Sequence, residues 1–143
     1  ILGKQYLNKN KIEEAKSKLE AAYNRIPGSQ DFALELAQVY LVQKYFKDAK
    51  EILLPFSKKE RPPYQVFLLL GQSHYALAEY GQAVDIYNKA ISHFGTNTHL
   101  LNNLGECYTK LELMEEALAA WNASLEINPD QPDIRKKMES IKK

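Results

Sequence analysis

Apolar residues recur along this chain at intervals of three and four, which is the spacing of an amphipathic α-helix. The clearest early segment carries Ile12, Ala15, Leu19, Ala22 and Ile26 on one face. Similar segments follow to the end of the chain, separated by short polar or helix-breaking clusters. The pattern therefore predicts an all-α protein built from short helices.

The clusters between these segments predict where the helices end. A turn is expected at Asn8–Asn10, and Pro27 with Gly28 ends the helix that follows it. A second turn is expected at Glu79–Gly81. Pro55 lies inside a helical segment, where its ring clashes with the preceding turn, so it predicts a kink or an early helix end.

The helical pattern repeats at a fixed interval of 34 residues, with no insertion or deletion. Small residues form two of the repeating columns, one on the first helix of each unit and one near the start of the second helix. These columns are Gly3, Ala37, Gly71 and Gly105, and Ala15, Ala49, Ala83 and Ala117. Antiparallel helices approach closely only where the side chains at their crossing are small, so both columns are expected to be buried.

The last full unit carries a recognisable pattern of large–x2–Leu–Gly–x2–Tyr, then Ala–x3–aromatic, then Pro. Its residues are Leu101, Leu104, Gly105, Tyr108, Ala117, Trp121 and Pro129. This pattern resembles the tetratricopeptide repeat, a helix–turn–helix unit of about 34 residues. The resemblance covers nearly the whole chain and implies an all-α, right-handed α-solenoid, because one helix pair cannot bury its apolar face alone.

The register divides residues 1–143, taken as one domain, into four repeats and a cap. The predicted units are a truncated repeat at 1–29, repeats at 30–63, 64–97 and 98–131, and a C-terminal cap helix at 132–143. Ile1 falls at the sixth position of a repeat, which predicts that the chain is an excised piece of a longer protein. The basic run Lys136, Lys137, Lys142 and Lys143 is interpreted as the solvated face of the cap helix.

Composition excludes several classes of function. The formal net charge is only +1, which gives no electrostatic reason to expect nucleic acid or an anionic membrane as a partner. The longest apolar runs are only a few residues, far short of the roughly 20 that span a bilayer. Cys107 stands alone, which excludes an intrachain disulfide and a cysteine zinc site.

No catalytic pattern is present in the sequence. It contains no Gly-rich phosphate loop, no HExxH motif and no nucleophile elbow. His74 occupies a column that is Tyr in the other repeats, so it is expected to be buried with one nitrogen hydrogen-bonded. Cys107 is expected to be a small buried apolar residue. The sequence thus predicts a protein that is not an enzyme and that has no catalytic residue, metal site or cofactor.

The resemblance implies that the first helices line a concave groove that receives a peptide or a partner helix. The positions that would face this groove are Asp31, Leu34, Gln38, Leu41, Gln65, Leu68, Gln72, Tyr75, His99, Asn102, Asn103, Glu106 and Thr109. One branch of the family binds acidic chaperone tails through a clamp of Lys, Asn and Arg. The equivalent places here are held by Leu34, Gln38, Leu69, His99 and Asn103, without a Lys or Arg, so that specialisation is not predicted.

The leading hypothesis is a non-catalytic scaffold that binds a protein or peptide in this groove. Its leucines would contact apolar side chains, its amides would hydrogen-bond a peptide backbone, and Asp31 and Glu106 favour a partner with some basic character. The competing interpretation is that these leucines pack against neighbouring helices and bind nothing.

Two alternative functions remain. One is self-association through an open N-terminal end that exposes Leu2, Tyr6, Ile12 and Leu19. The other is RNA binding, which is less favoured because the groove positions of repeats two to four hold no Lys or Arg.

Overall fold

The computed structural model describes the backbone of residues 2–142 and the side chains of residues 11–141, and over this range it is all-α. The described residues form eight helices in sequence. They are α1 (Leu2–Arg25), α2 (Gln30–Val42), α3 (Phe46–Ser57), α4 (Tyr64–Ala76), α5 (Tyr80–Phe94), α6 (Thr98–Lys110), α7 (Met114–Ile127) and α8 (Pro132–Lys142). The predicted fold class, helices packed sequentially as helix–turn–helix repeats, is confirmed.

The helices form two compact units, Ile1–Ser73 and His74–Lys143, and the boundary falls inside α4. In the first unit α1 packs on α2 and α2 on α3. In the second unit α5 packs on α6, α6 on α7, and α7 on α8. Within each unit these helices thus pack against their neighbours in sequence, which is the arrangement expected of stacked helical repeats.

The predicted alanine column is buried in the last three repeats, whereas Ala15 in the first is only partly buried. Ala49, Ala83 and Ala117 each have 0% of their surface exposed. In the second unit, Gly105 on α6 lies against the Trp121 ring on α7. The prediction that small residues occupy the helix crossings is therefore confirmed, because a methyl group or a hydrogen is all that these positions accommodate.

The three turns inside the repeats share one backbone geometry, the Schellman motif. Lys44, Ala78 and Glu112 have φ values of 65°, 61° and 60°, in the left-handed region. Each donates its amide N–H to the carbonyl three residues earlier, and the next residue donates to the carbonyl five residues earlier, at 2.8–2.9 Å. The motif satisfies the last carbonyls of the first helix and reverses the chain direction.

Two of the Schellman turns are closed by a side-chain pair between their first and last residues. Tyr40 and Tyr45 make an edge-to-face contact with ring centroids 6.3 Å apart. In the next turn His74 Nδ1 and Glu79 Oε1 are 2.9 Å apart, and His74 is only 5% exposed. The expectation that His74 is buried with one nitrogen hydrogen-bonded is confirmed. This repeat thus has His74 where the other repeats have Tyr, and the Glu79 carboxylate contacts that imidazole.

The turn predicted at Asn8–Asn10 is wrong, because α1 runs unbroken from Leu2 to Arg25. Asn10 is the register equivalent of the three left-handed residues, but it lies within a helix. The next residue, Lys11, is exposed and charged where the later turns place the partner of an aromatic or imidazole ring. A continued helix there keeps its backbone hydrogen bonds and avoids a left-handed residue.

Two other predicted helix boundaries lie near Gly81 and Pro55. Gly81 was expected in a turn but lies in the first turn of α5, because the reversal is completed at Leu77–Glu79. Helix α3 ends at Ser57, two residues after Pro55, so the expected early helix end is confirmed.

Helix α8 covers the apolar face of α7. Ile134 and Met138 are each 6% exposed and form one cluster with Ala117 and Trp121. The predicted C-terminal helix is therefore confirmed. Its opposite face carries exposed Lys136 and Glu139.

Candidate functional site

The predicted groove residues fall in both units. In the first unit Asp31, Gln38 and Gln65 are exposed, whereas Leu34, Leu41, Leu68 and Gln72 are partly buried. Leu34 packs against a core cluster of Ala33, Phe56 and Val66. This packing of Leu34 agrees with the competing interpretation, in which the groove leucines pack against neighbouring helices.

In the second unit, Tyr75 and Thr109 form intramolecular contacts. The Tyr75 ring meets Tyr80 edge-to-face at a centroid distance of 5.3 Å. Burial raises the pKa of Tyr75, and the nearby Glu106 carboxylate raises it further. The Thr109 hydroxyl donates to the Gly105 carbonyl at 2.8 Å. A third predicted position of this unit, His99, is exposed.

Two asparagines on α6 each leave one buried amide atom without a partner in the described part of the chain. The Asn102 Nδ2 donates to Gln131 Oε1 at 2.9 Å, but Asn102 Oδ1 accepts no hydrogen bond. Asn103 Nδ2 likewise has no acceptor. Buried polar atoms are nearly always hydrogen-bonded, so two exceptions on adjacent residues are unusual.

Gln131 holds Asn102 in position. Its Nε2 donates to the Asn128 carbonyl at 2.8 Å and to the Ser124 carbonyl at 3.1 Å, at the end of α7. Its Oε1 then accepts from Asn102. The amide of Asn102 is thus oriented by the segment between α7 and α8.

Glu106 lies on the same face of α6, one turn after the asparagines, and forms an ion pair with Lys137 of α8. The Glu106 side chain is 31% exposed and the Lys137 side chain 48% exposed. Lys137 was interpreted as part of a purely solvated face. That interpretation was incomplete, because the Lys137 ammonium also contacts a carboxylate on α6.

Asn102, Asn103 and Glu106 line one cleft of about 420 Å³, which we call the α6–α8 cleft. Its other lining residues are Asp130, Gln131, Pro132, Asp133, Ile134 and Lys137. Sequence analysis missed these six. The 34-residue register could have found two of them, since Asp133 is equivalent to His99 and Lys137 to Asn103.

A second cleft, of about 310 Å³, lies in the first unit and shares none of the predicted groove residues. Its lining residues are Glu20, Tyr23, Asn24, Leu36, Tyr40, Asp48, Glu51 and Ile52. Burial, followed by the charges of Glu20 and Asp48, raises the pKa of Tyr40 to about 12.

Metal-ligating and nucleophilic side chains are not grouped within the described residues. No three His, Cys, Asp or Glu side chains there could hold a metal ion. Cys107 is buried, as expected, and burial followed by the Glu106 charge raises the pKa of its thiol to about 12. A protonated, inaccessible thiol is a poor nucleophile. No helix within residues 2–142 has the length and apolarity needed to cross a membrane.

Family models for the tetratricopeptide repeat match residues 6–71, 65–96 and 100–131. The chain belongs to the tetratricopeptide-repeat family. Repeats of this family typically mediate protein–protein interactions, which is the broad functional class to which this chain is assigned. The fold is typically non-catalytic.

Solved structures with similar folds include MamA and YrrB. A MamA crystal structure has a TM-score of 0.86 at 18% identity, and the match covers 99% of this chain and 82% of that one. YrrB, described as a tetratricopeptide protein with an unusual peptide-binding site, has a TM-score of 0.79 at 19% identity, covering 96% and 71%. At these identities the likeness shows the fold alone.

Among curated relatives, the human protein O-mannosyl-transferase TMTC1 is 24% identical over 134 residues. The match covers 91% of this chain but only 15% of that protein. The chain therefore spans a small part of the relative's length.

Proposed function

We propose that this chain is a non-catalytic scaffold whose first helices bind a peptide or an extended partner segment, with the α6–α8 cleft as a principal contact. The observation that carries the proposal is the pair of unpaired amide atoms on Asn102 and Asn103. One is an acceptor and the other a donor, which is the complement of the N–H and C=O of a peptide group.

Leaving such atoms buried and unbonded costs free energy, and a ligand that bonds them recovers it. The hydrogen bond to Gln131 fixes the orientation of the Asn102 amide, so its Oδ1 acceptor is the atom that remains for a partner. Gln131 already holds Asn102 in place, so little side-chain freedom is lost when the partner binds.

The charge of the cleft favours a partner with some basic character. Three carboxylates, Glu106, Asp130 and Asp133, line it against one ammonium, Lys137, which leaves a net charge of −2. Partly buried Tyr75 adds apolar surface on a first helix of the same unit. The proposed partner segment is therefore apolar with one or two basic residues, bound in the micromolar range because small grooves convert only part of their area into affinity.

The test starts from a displayed library of random peptides of about a dozen residues, selected on the full chain. Enriched peptides are then measured by fluorescence anisotropy against Asn102→Ala with Asn103→Ala. The matched control is Asn88→Ala with Asn122→Ala, which removes two exposed asparagines from the second helices α5 and α7. We expect at least about tenfold weaker binding in the first variant and no change in the control, because each lost hydrogen bond contributes on the order of 1 kcal/mol.

Equal binding by both double variants would exclude the α6–α8 cleft as the contact. A selection in which the wild-type chain enriches no peptide would refute peptide binding itself. Thermal melting of each variant establishes that it is folded before binding is compared.

A further inference from the structure

We infer that Lys137 occupies the place beside Glu106 that a basic side chain of the partner takes on binding. The Glu106 carboxylate then selects for that basic side chain of the partner. The inference rests on the proposed function, since it concerns the same cleft. It adds a specific exchange of one cation for another at a single carboxylate.

The position of Glu106 makes it the charged group next to the peptide-binding atoms. It lies three and four residues after Asn103 and Asn102 on α6, so all three side chains share one helix face and line one cleft. A segment whose backbone bonds the two amides therefore passes close to the Glu106 carboxylate.

Lys137 is the sole side-chain cation among the described residues that line the cleft, and it is paired with Glu106. The pair is weak, because both side chains are substantially exposed to water, which screens their attraction. Lysine is also a long and flexible side chain that can turn into solvent without disturbing the helix that carries it. Its displacement therefore costs little.

The neighbouring basic residues of α8 do not fill this role. Arg135 donates from its guanidinium to the Pro129 carbonyl at 3.1 Å, which fixes it at the start of the helix. Lys136 is exposed and does not line the cleft. Lys136 is thus a matched control for Lys137, with the same charge and one position away.

A partner arginine can displace Lys137 because the guanidinium binds a carboxylate through two parallel hydrogen bonds, whereas an ammonium acts as a single charge. The exchange also keeps Glu106 neutralised throughout. The cleft is therefore expected to prefer arginine to lysine, and lysine to a neutral residue, at the position that meets Glu106.

The experiment compares the full chain with Lys137→Gln, Lys136→Gln and Glu106→Gln. The probes are peptides enriched by selection on the wild-type chain, each synthesised with its arginine and with glutamine in its place. For Lys137→Gln we expect the arginine peptide to bind roughly two- to fivefold more tightly, which is what one exposed ion pair contributes. Lys136→Gln should leave the affinity nearly unchanged, and Glu106→Gln should remove the difference between the two peptides.

Equal affinities in Lys137→Gln and Lys136→Gln would overturn the inference, as would a preference for arginine that survives Glu106→Gln. If the arginine and glutamine peptides bind the wild-type chain equally, the inference fails while the proposed function stands. If no peptide binds the wild-type chain, both fail.

Discussion

Gly105 lies directly against the indole of Trp121, so that a Cβ atom built on Gly105 would fall 2.2 Å from Trp121 Nε1. Trp121 is 1% exposed and cannot swing into solvent. The two positions thus constrain each other, because the largest side chain of one column requires the smallest residue of the other. In the second repeat the equivalent positions hold Ala37 and Leu53, so a side chain smaller than tryptophan accompanies a residue larger than glycine.

We therefore expect Gly105→Ala to destabilise the protein although alanine is the better helix former. Overpacking a buried site costs about 1–3 kcal/mol, which exceeds the gain of roughly 1 kcal/mol in helix propensity. The matched control is Gly81→Ala, since Gly81 is helical and a Cβ there meets nothing within 4 Å. Urea unfolding should show a loss of stability for the first and none for the second, and the reverse order would refute the contact.

The alanine column gives a second prediction. Ala83→Leu and Ala117→Leu should each destabilise by about 1–3 kcal/mol, because both alanines are completely buried at helix crossings. Ala119→Leu is the control, since Ala119 is exposed on the same helix as Ala117. Unchanged melting temperatures for both buried substitutions would contradict the assigned register.

The His74–Glu79 pair predicts a strong coupling between two substitutions. Glu79→Leu should leave a buried imidazole unbonded and cost about 1–3 kcal/mol. His74→Tyr should also destabilise the protein, because the Glu79 carboxylate then faces a phenol in place of the imidazole that it contacts. The double variant recreates the Tyr108–Leu113 combination of the next turn and should lose at least about 1 kcal/mol less than the sum. Additive losses in a double-mutant cycle would show that the two residues do not form a unit.

The cap helix gives a fluorescence prediction. Deleting residues 132–143 should uncover the cluster that contains Trp121, the single tryptophan of the chain. The emission maximum should shift to longer wavelength and the melting temperature should fall. Met138→Ala should produce a smaller version of both effects, about 2 kcal/mol, whereas Glu139→Ala on the exposed face should produce neither. A deleted form with unchanged emission would show that α8 does not protect Trp121.

Stability should depend on alkaline pH through Cys107. Its pKa is raised from 9.0 to about 12 in the folded chain, so the unfolded chain loses the thiol proton first. The stabilising contribution is complete below pH 9 and is lost as the pH rises towards 12. Urea midpoints measured across this range should fall less steeply in Cys107→Ala than in the wild-type chain. Parallel curves for the two proteins would contradict the burial of the thiol.

The parts of the fold that the sequence predicted are those that the 34-residue period constrains more than once. The buried alanines could be predicted because a helix crossing excludes every larger residue at Ala49, Ala83 and Ala117 alike. The false turn at Asn8–Asn10 arose because the period was extended to a unit in which the helix continues through that place. A turn at this place needs a left-handed residue, and Lys44, Ala78 and Glu112 share no chemical property that identifies such a residue.

The α6–α8 cleft was predicted only in part, for a related reason. Asn102, Asn103 and Glu106 followed from the register. Whether their polar atoms are hydrogen-bonded or ion-paired depends on side chains of the chain segment after α7. Gln131 lies between helices, where the repeat pattern carries little information, and Lys137 was assigned to solvent because lysines usually are exposed. Partners that come from another helix can be recognised only once the packing is known.

Two of the Schellman turns should respond differently to added salt, because one is closed by an aromatic pair and the other by a hydrogen bond. Salting-out ions such as sulfate strengthen the apolar contact of Tyr40 with Tyr45, whereas the contact of His74 with Glu79 is a hydrogen bond that buries little apolar surface. The amide of Glu79 should then exchange its hydrogen faster relative to that of Tyr45 as such a salt is added. Which turn opens first is thus set by the surrounding electrolyte as well as by the chain.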